Sequence, residues 1–386
     1  MRDKEKGQRE EEKRPKKLLF PLILVLVLGV VVFAAYRDGT GFDVLRRYFQ
    51  YGKAEEAAGA LHYAYDASSH HRFASLGNSL VVLTETSLSV LDGQGNTTWS
   101  TGVKMEAPAL HCNGNRAVAY DVGGTELYVL DGEGGGRTIA YEAGEEPEML
   151  ISATLNEKGY LAVTSDLKNH KGCVRVYNEK LEKVFVFRSS RRFVTSGYVT
   201  DDCRRLAAVT LGQTEGTFVS NVVLYNLDEE EPYASYDVAD GLVTAIGQDG
   251  RLITVSDTGL TFAGTDGEIE ASYPYGESYL REYALGGDGF TALLLNRYSS
   301  GSVGRLVTVD GEGQELGSLD IHEEVLHISA AGRYLAVLYA SRLVVYTPDL
   351  QPYATLNGTD HARSVLMRSD GSAILLGSET ANLFLP

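Results

Sequence analysis

The sequence predicts an all-β fold, an eight-bladed β-propeller with seven blades as the alternative, carried behind an N-terminal transmembrane helix and a short stalk helix. Three observations lead there. From Leu61 onward the chain consists of short apolar runs rich in Val, Leu, Tyr and Thr, separated by Gly, Asp and Asn, which is the pattern of short strands and tight turns. The runs come in sets of four, such as PALHC, RAVAYD, ELYVLD and RTIAYE from Pro108, or VLHIS, RYLAVLY, RLVVYT and PYATL from Val325. Further sets begin near Arg72, Met149, Phe193, Leu242, Tyr279 and Arg363, so the spacing runs from 36 to 49 residues, the period of a four-stranded propeller blade. The last set is one strand short: RSVLMR, SAILLG and ANLFLP end the chain, while LHYAYD at 61–66 stands alone before the first set. Pairing that lone strand with the last blade closes a ring of eight. Seven blades result if two sets are one blade with an insertion, since the set from Phe193 to Ala239 is stretched.

The elements before the ring follow from hydropathy and charge. Residues 1–17 are read as a cytoplasmic tail. From Leu18 to Tyr36 the chain reads LLFPLILVLVLGVVVFAAY, 19 residues without a charge, which at about 1.5 Å rise per residue nearly spans a ~30 Å hydrocarbon core. A cleaved signal peptide ending at Ala34–Ala35 is the rival reading, but the apolar run is longer than a signal peptide's core. Lys13, Arg14, Lys16 and Lys17 precede the span, so the positive-inside rule keeps the N-terminus in the cytoplasm and the rest outside. Residues 37–60 read as a juxtamembrane stalk, with Phe42, Leu45, Tyr48 and Phe49 at helical spacing, leaving 61–386 as the extracytoplasmic domain.

Composition narrows the function. The chain of 386 residues carries a formal charge of -17. Residues 1–17 hold eight Lys/Arg against five Asp/Glu, a net +3, so the remainder stands at -20. A body that acidic repels phosphate backbones, which excludes nucleic acid as a partner. Cys112, Cys173 and Cys203 make an odd number without C-x-x-C spacing and read as small apolar residues, with one disulfide left open.

The stretches LDGQGN, LDGEGG, GTDGEI and VDGEGQ, from Leu91, Leu130, Gly264 and Val309, invite a chemical reading. Each falls where the third strand of a set gives way to the fourth, so Asp-Gly is expected to supply the positive φ of a tight hairpin. YNEKLE, YNLDEE and YTPDLQ fill the same slot. A phosphate loop would open a helix and carry a lysine, and DGEGGG at 131–136 opens a strand. No D-x-[DN]-x-[DN]-G run with a trailing Glu marks a calcium site.

No G-x-S-x-G elbow and no H-E-x-x-H is present, and no catalytic, metal-binding or cofactor-binding residue is assigned. His70, His71, His322 and His327 are expected in solvated connections between blades. Two patches stand out as partner-binding candidates. Arg188, Arg191 and Arg192 form a basic island, with Arg204 and Arg205 one hairpin away and Asp201 and Asp202 near enough to neutralise it. Tyr273, Tyr275 and Tyr279 offer stacking surfaces, unless they cover the neighbouring blade.

With the anchor, FDVLRRYFQYG and AVAYDVGGTELYVLD at 117–131 in view, the chain resembles a family of single-pass, clostridial-type bacterial membrane proteins whose outer part is a domain of unknown function of β-propeller type. LSVLDGQGNTTW at 88–99 is also similar to quinoprotein-type repeats, although Trp99 is the single tryptophan and quinone binding is not implied. The expected function is a membrane-anchored, non-enzymatic binding or scaffold module for an envelope protein or wall polymer, with no cofactor. Its loops should converge around Asp121 to Thr125, Asp166 to Gly172, Gly212 to Thr217 and Tyr298 to Val303. The alternatives are an extracytoplasmic hydrolase or lyase at the channel mouth, and a sensor signalling through a partner. The sequence leaves oligomeric state open.

Overall fold

The structure, a computed structural model, describes residues 24–30, 43, 46–47, 51, 62–68, 70–132, 135–138, 148–214, 216–238 and 241–386. The chain divides into two compact units, Met1–Lys53 and Ala54–Pro386. In the first, the described residues are helical and residues 24–30 are exposed. No helix among the described residues is long and apolar enough to cross a membrane. Leu18, Tyr36 and most of the expected span and stalk lie outside the described residues.

The second unit is a ring of eight antiparallel four-stranded sheets. Blades 1 to 7 each use four consecutive strands and begin with the inner strands Arg72–Leu76, Pro108–Asn113, Leu150–Leu155, Phe193–Val199, Val243–Asp249, Tyr279–Gly287 and Val325–Ala331. Blade 8 takes Ser364–Met367, Ala373–Leu376 and Thr380–Phe384 from the C-terminus and His62–Ala64 as its outer strand.

Burial explains why the strands read as they do. Second strands such as Leu161–Ser165, Phe290–Asn296 and Tyr334–Tyr339 are buried along their whole length, because a neighbouring blade covers each face. Their sequences are accordingly near-continuous apolar runs rather than alternating ones. Outer strands such as Thr97–Gly102 and Glu315–Ile321 alternate between exposed and half-buried positions. Blade-to-blade contact makes the core: Leu294, Leu306 and Ile321 of blade 6 meet Ile328, Leu335 and Val337 of blade 7. Likewise Val118 and Val129 of blade 2 meet Ala153, Leu161 and Val163 of blade 3.

The ring closes as the unpaired sets predict. His62, Tyr63 and Ala64 face Asn382, Ala381 and Thr380 across an antiparallel ladder. The Tyr65 amide donates to Glu379 O at 3.0 Å, and its hydroxyl lies 3.0 and 2.8 Å from the Gly377 and Thr380 carbonyls. Tyr63 is fully buried. Across the seam, Arg368 of blade 8 donates to Asn78 O of blade 1 at 3.1 Å.

The turns correct the expectation for Asp-Gly. In LDGQGN and VDGEGQ the first glycine is not left-handed; Gly95 (φ 85°) and Gly313 (φ 75°), two residues later, are. The aspartate acts as a side-chain cap: Asp92 Oδ1 accepts from the amides of Gln94 and Asn96, both at 2.9 Å, and Asp310 Oδ1 does the same for Glu312 and Gln314. In YNEKLE and YTPDLQ the left-handed slot falls to Leu181 (φ 64°) and Leu350 (φ 56°). In GTDGEI alone of these, Asp-Gly behaves as expected, with Gly267 at φ 89°.

The hairpins between inner and second strands are more regular. Each of the eight has one left-handed residue: Gly77, Gly114, Gly159, Gly250, Gly289, Gly332 and Gly371, and in blade 4 Cys203 at φ 61°. Cys112, Cys173 and Cys203 are all free thiols, so the disulfide option is not realised. A non-glycine residue in this region is strained by about 1–2 kcal/mol, against roughly 0.5–1 kcal/mol of backbone entropy lost by glycine. Cys203→Gly should therefore unfold at a higher urea midpoint than Cys203→Ala, by up to about 1 kcal/mol; an equal or lower midpoint would show that the turn carries no strain.

Candidate recognition face

Strand direction gives the ring two unlike faces. One, here the connection face, carries the loops between second and third strands and the links from one blade to the next. The other, the hairpin face, carries the two tight turns of each blade. Loop length singles out part of the connection face. The second-to-third loops of blades 2, 3 and 6 cover residues 122–126, 166–172 and 297–303, and blade 4 extends its two middle strands to ten residues each, Arg205–Thr214 and Thr217–Asn226. In blades 1, 5, 7 and 8 the same loops shrink to residues 84–86, 257–258, 340–341 and 377–379.

Exposed apolar side chains follow that arc. Twelve large hydrophobic residues of the described ring are exposed, and eight of them lie on the connection face of blades 2 to 6: Val122, Met149, Phe193, Phe218, Leu242, Tyr279, Tyr298 and Val303. The other four, Val184, Tyr233, Ile269 and Leu316, sit on outer strands at the rim. Apolar atoms are common on any surface, so the informative feature is their segregation. Phe193 and Tyr298 also carry cations, with Lys171 Nζ 4.3 Å from the first ring and the Arg297 guanidinium 5.7 Å from the second.

Arg188, Arg191 and Arg192 belong to this face, at the junction of blades 3 and 4. Arg188 and Arg191 are exposed. Arg192 is half-buried; its Nε donates to Thr210 Oγ1 at 3.1 Å and its Nη2 to Val219 O, tying the link to the long hairpin of blade 4. Gly212 makes room, since an added Cβ would lie 2.6 Å from Arg192 Nη1. Arg204 and Arg205 are not part of the island. Strand Phe193–Val199 separates them from it, and Arg205 pairs with Asp202 at 2.8 Å on the hairpin face. Asp201 and Asp202 are thus at the wrong end to neutralise Arg188.

The tyrosine trio does not form one surface. The Tyr273 hydroxyl donates to Glu315 Oε1 of the next blade at 2.6 Å; burial and that carboxylate push its pKa up to about 12. Tyr275 is buried, and Tyr279 is exposed at the start of blade 6. A second feature of the face has no local sequence signature. A cavity of about 330 Å³ between blades 2 and 3 is lined by Leu127, Tyr128, Leu150, Val163 and Tyr177, with Glu148 and Arg175 at its side. Arg175 Nη2 donates to Glu148 Oε1 at 2.6 Å, and Ser165 Oγ to Glu148 Oε2 at 2.6 Å. Desolvation raises the Glu148 pKa, but the hydrogen bonds from Arg175 and Ser165 outweigh it and hold the carboxyl below its usual range.

His327 is placed differently from the solvated connection expected for it. The link between blades 6 and 7 ends at Glu324, and His327 sits in the inner strand Val325–Ala331. Its Nε2 lies 3.4 Å from Glu282 Oε1 on the neighbouring inner strand. A bulge at Arg281 shifts the register of that strand; Arg281 Nη2 donates to Val325 O at 2.9 Å and Ile328 N to Glu282 Oε1 at 3.2 Å. Burial raises the Glu282 pKa to about 7 and lowers that of His327. Ser329, two residues on, uses its hydroxyl to accept the Met367 amide at 3.0 Å, and among the described residues no hydroxyl or thiol bonds to the imidazole. The pair is an acid and a base without a nucleophile attached. His322 remains exposed in the link, His70 pairs with Glu85, and the His71 ring stacks on Phe73 at 5.2 Å.

The hairpin face is acidic where the channel opens. A cavity of about 380 Å³ there is bordered by Glu157, Asp201, Asp249 and Asp288, together with His111 and Tyr198. Asp201 Oδ1 accepts the Tyr198 hydroxyl at 3.0 Å, and burial raises the Asp201 pKa.

Ring and blade period together define an eight-bladed β-propeller. The chain belongs to DUF5711, a family of unknown function, whose profile matches residues 51–350. No curated protein matches the sequence. Among solved structures, BamB from Moraxella catarrhalis superposes with a TM-score of 0.52 at 12% identity over 83% of this chain and 97% of that one. The C-terminal WD40 domain of Sif2 gives 0.55 at 13% identity over 84% and 99%. Dihydro-heme d1 dehydrogenase NirN in complex with DHE gives 0.52 at 11% over 78% and 72%. At such identities the likeness concerns the fold.

The Glu282 shift has a definite sign. With a folded pKa of about 7 against 4.5, the native state holds a proton that the unfolded state releases between those values, so the contribution to stability is full below pH 4.5 and is lost as pH rises through 7. Glu282→Gln should flatten that decline and raise stability at pH 8 by about 2 kcal/mol, allowing for the 24% of the side chain that stays exposed. Urea unfolding at pH 5 and pH 8 measures it; an unchanged pH slope would refute the assignment.

Proposed function

We propose that the protein is a non-enzymatic binding module, held at the cell membrane by residues 18–36, that presents the connection face of blades 2 to 6 outside the cytoplasm to an envelope protein. The carrying observation is the segregation of exposed apolar side chains: eight on that arc of one face, spread over the longest loops. Side chains of this kind are the usual anchors of interface cores, where aromatic rings and arginines contribute most.

A photo-crosslinking amino acid placed at Phe218 or Tyr298 in intact cells should give discrete adducts with one envelope component. The same probe at Asp288 on the hairpin face, or at Ile269 on the rim, should give none. Equal adducts from all four positions, or none from the first two, would contradict this reading.

A further inference from the structure

The junction of blades 3 and 4 gathers exposed cations from two adjoining segments. Six arginines elsewhere on this acidic body are matched to carboxylates: Arg137 to Asp131, Arg175 to Glu148, Arg205 to Asp202, Arg251 to Glu270 and Glu312, Arg305 to Glu315, Arg342 to Glu323. At the junction Lys168, Arg188 and Arg191 are exposed and have no ion-pair partner among the described residues. Their grouping is fixed by backbone bonds. Lys171 N donates to Ser189 O at 2.7 Å, Ser189 N to Gly172 O at 3.0 Å and Val194 N to Lys171 O at 3.0 Å, which stitches the loop of blade 3 to the link that carries the arginines. Ser189 adds a turn of its own: its hydroxyl donates to Arg192 O at 2.6 Å and accepts from Arg192 N at 3.2 Å. Asp166, at the root of the same loop, leaves the local balance positive.

Two rings flank this charge. Phe193 is 53% exposed and Phe218, beside the carbonyl that Arg192 holds, is 57% exposed. A phosphate polymer would meet the cations and gain nothing from the rings. A polypeptide carrying both carboxylates and large apolar side chains would satisfy both, through charge-assisted hydrogen bonds to exposed guanidinium groups and burial of apolar area at roughly 25 cal/mol per Å². We propose that the blade 3–4 junction is a docking site for an acidic peptide segment bearing aromatic or large aliphatic side chains, supplied by a partner protein. This inference rests on the recognition-face reading and specifies the chemistry of its partner.

The test uses the full-length chain in detergent and a fluorescein-labelled synthetic peptide of repeating Glu-Phe-Asp-Leu, read by anisotropy. A Lys-Phe-Lys-Leu peptide and inorganic polyphosphate serve as comparison ligands. The acidic peptide should bind, the basic peptide should not, and polyphosphate should bind more weakly. Arg188→Glu with Arg191→Glu should weaken binding about tenfold or more. Phe193→Ser with Phe218→Ser should weaken it several-fold, and an unchanged thermal melt should accompany both variants. Polyphosphate binding tighter than the acidic peptide, no binding of that peptide, or an unaffected arginine variant would overturn the docking site. If crosslinks from Phe218 and Tyr298 persist in cells while the peptide test fails, the recognition-face reading survives and this inference does not.

Discussion

A blade of this protein is a sheet with two apolar faces, and neither can be covered from within the blade. Each seam is a shared core, such as Leu294 and Leu306 against Ile328 and Leu335, so the stability of any blade depends on neighbours on both sides. An open row would leave two such faces in water. The short pairing of His62–Ala64 with Thr380–Phe384 removes that problem by building the eighth blade from both ends of the domain. Closing a loop of this length costs chain entropy, but the cost grows only slowly with length and is offset by two seams formed at once.

Closure also makes the two faces unlike. The tight turns are held to a narrow geometry, with one left-handed residue in each inner hairpin and Asx-capped turns outside. Little sequence freedom remains there, and the channel rim on that side is acidic through Glu157, Asp201, Asp249 and Asp288. The connection face has no such restriction. Loops of blades 2, 3, 4 and 6 lengthen, and exposed Phe, Tyr and Met residues and unpaired cations accumulate on it. Constrained turns and long loops are thus divided between opposite ends of the same strands.

Much of this was legible in the sequence because it is periodic. Inner-strand starts near Arg72, Pro108, Phe193, Tyr279 and Val325 fell where the blades begin, and the lone LHYAYD found its partner in ANLFLP. What was not legible depends on three-dimensional adjacency. Arg204 and Arg205 are close to Arg192 along the chain but a strand length away in space, and Asp202 compensates Arg205 rather than Arg188. His327 looked like part of an exposed link because VLHIS follows His-Glu-Glu, yet a one-residue bulge in the adjacent strand at Arg281 brings Glu282 against it. Asp-Gly suits the left-handed position of two-residue hairpins; these loops are longer, and the second glycine takes the role. The cavity at Glu148 and Arg175 joins residues of two blades and has no local signature.

Ring closure is tested most directly at the pairing of Ala64 with Thr380, which face each other in the final ladder although almost the whole domain separates them in sequence. In Ala64→Cys/Thr380→Cys, mild oxidation should form an intramolecular disulfide mapped by mass spectrometry and raise the urea midpoint of the oxidised form, with up to about 5 kcal/mol expected for so long a loop. Failure of the two thiols to join in the native protein, while both remain reactive to alkylation, would mean that the ends do not meet.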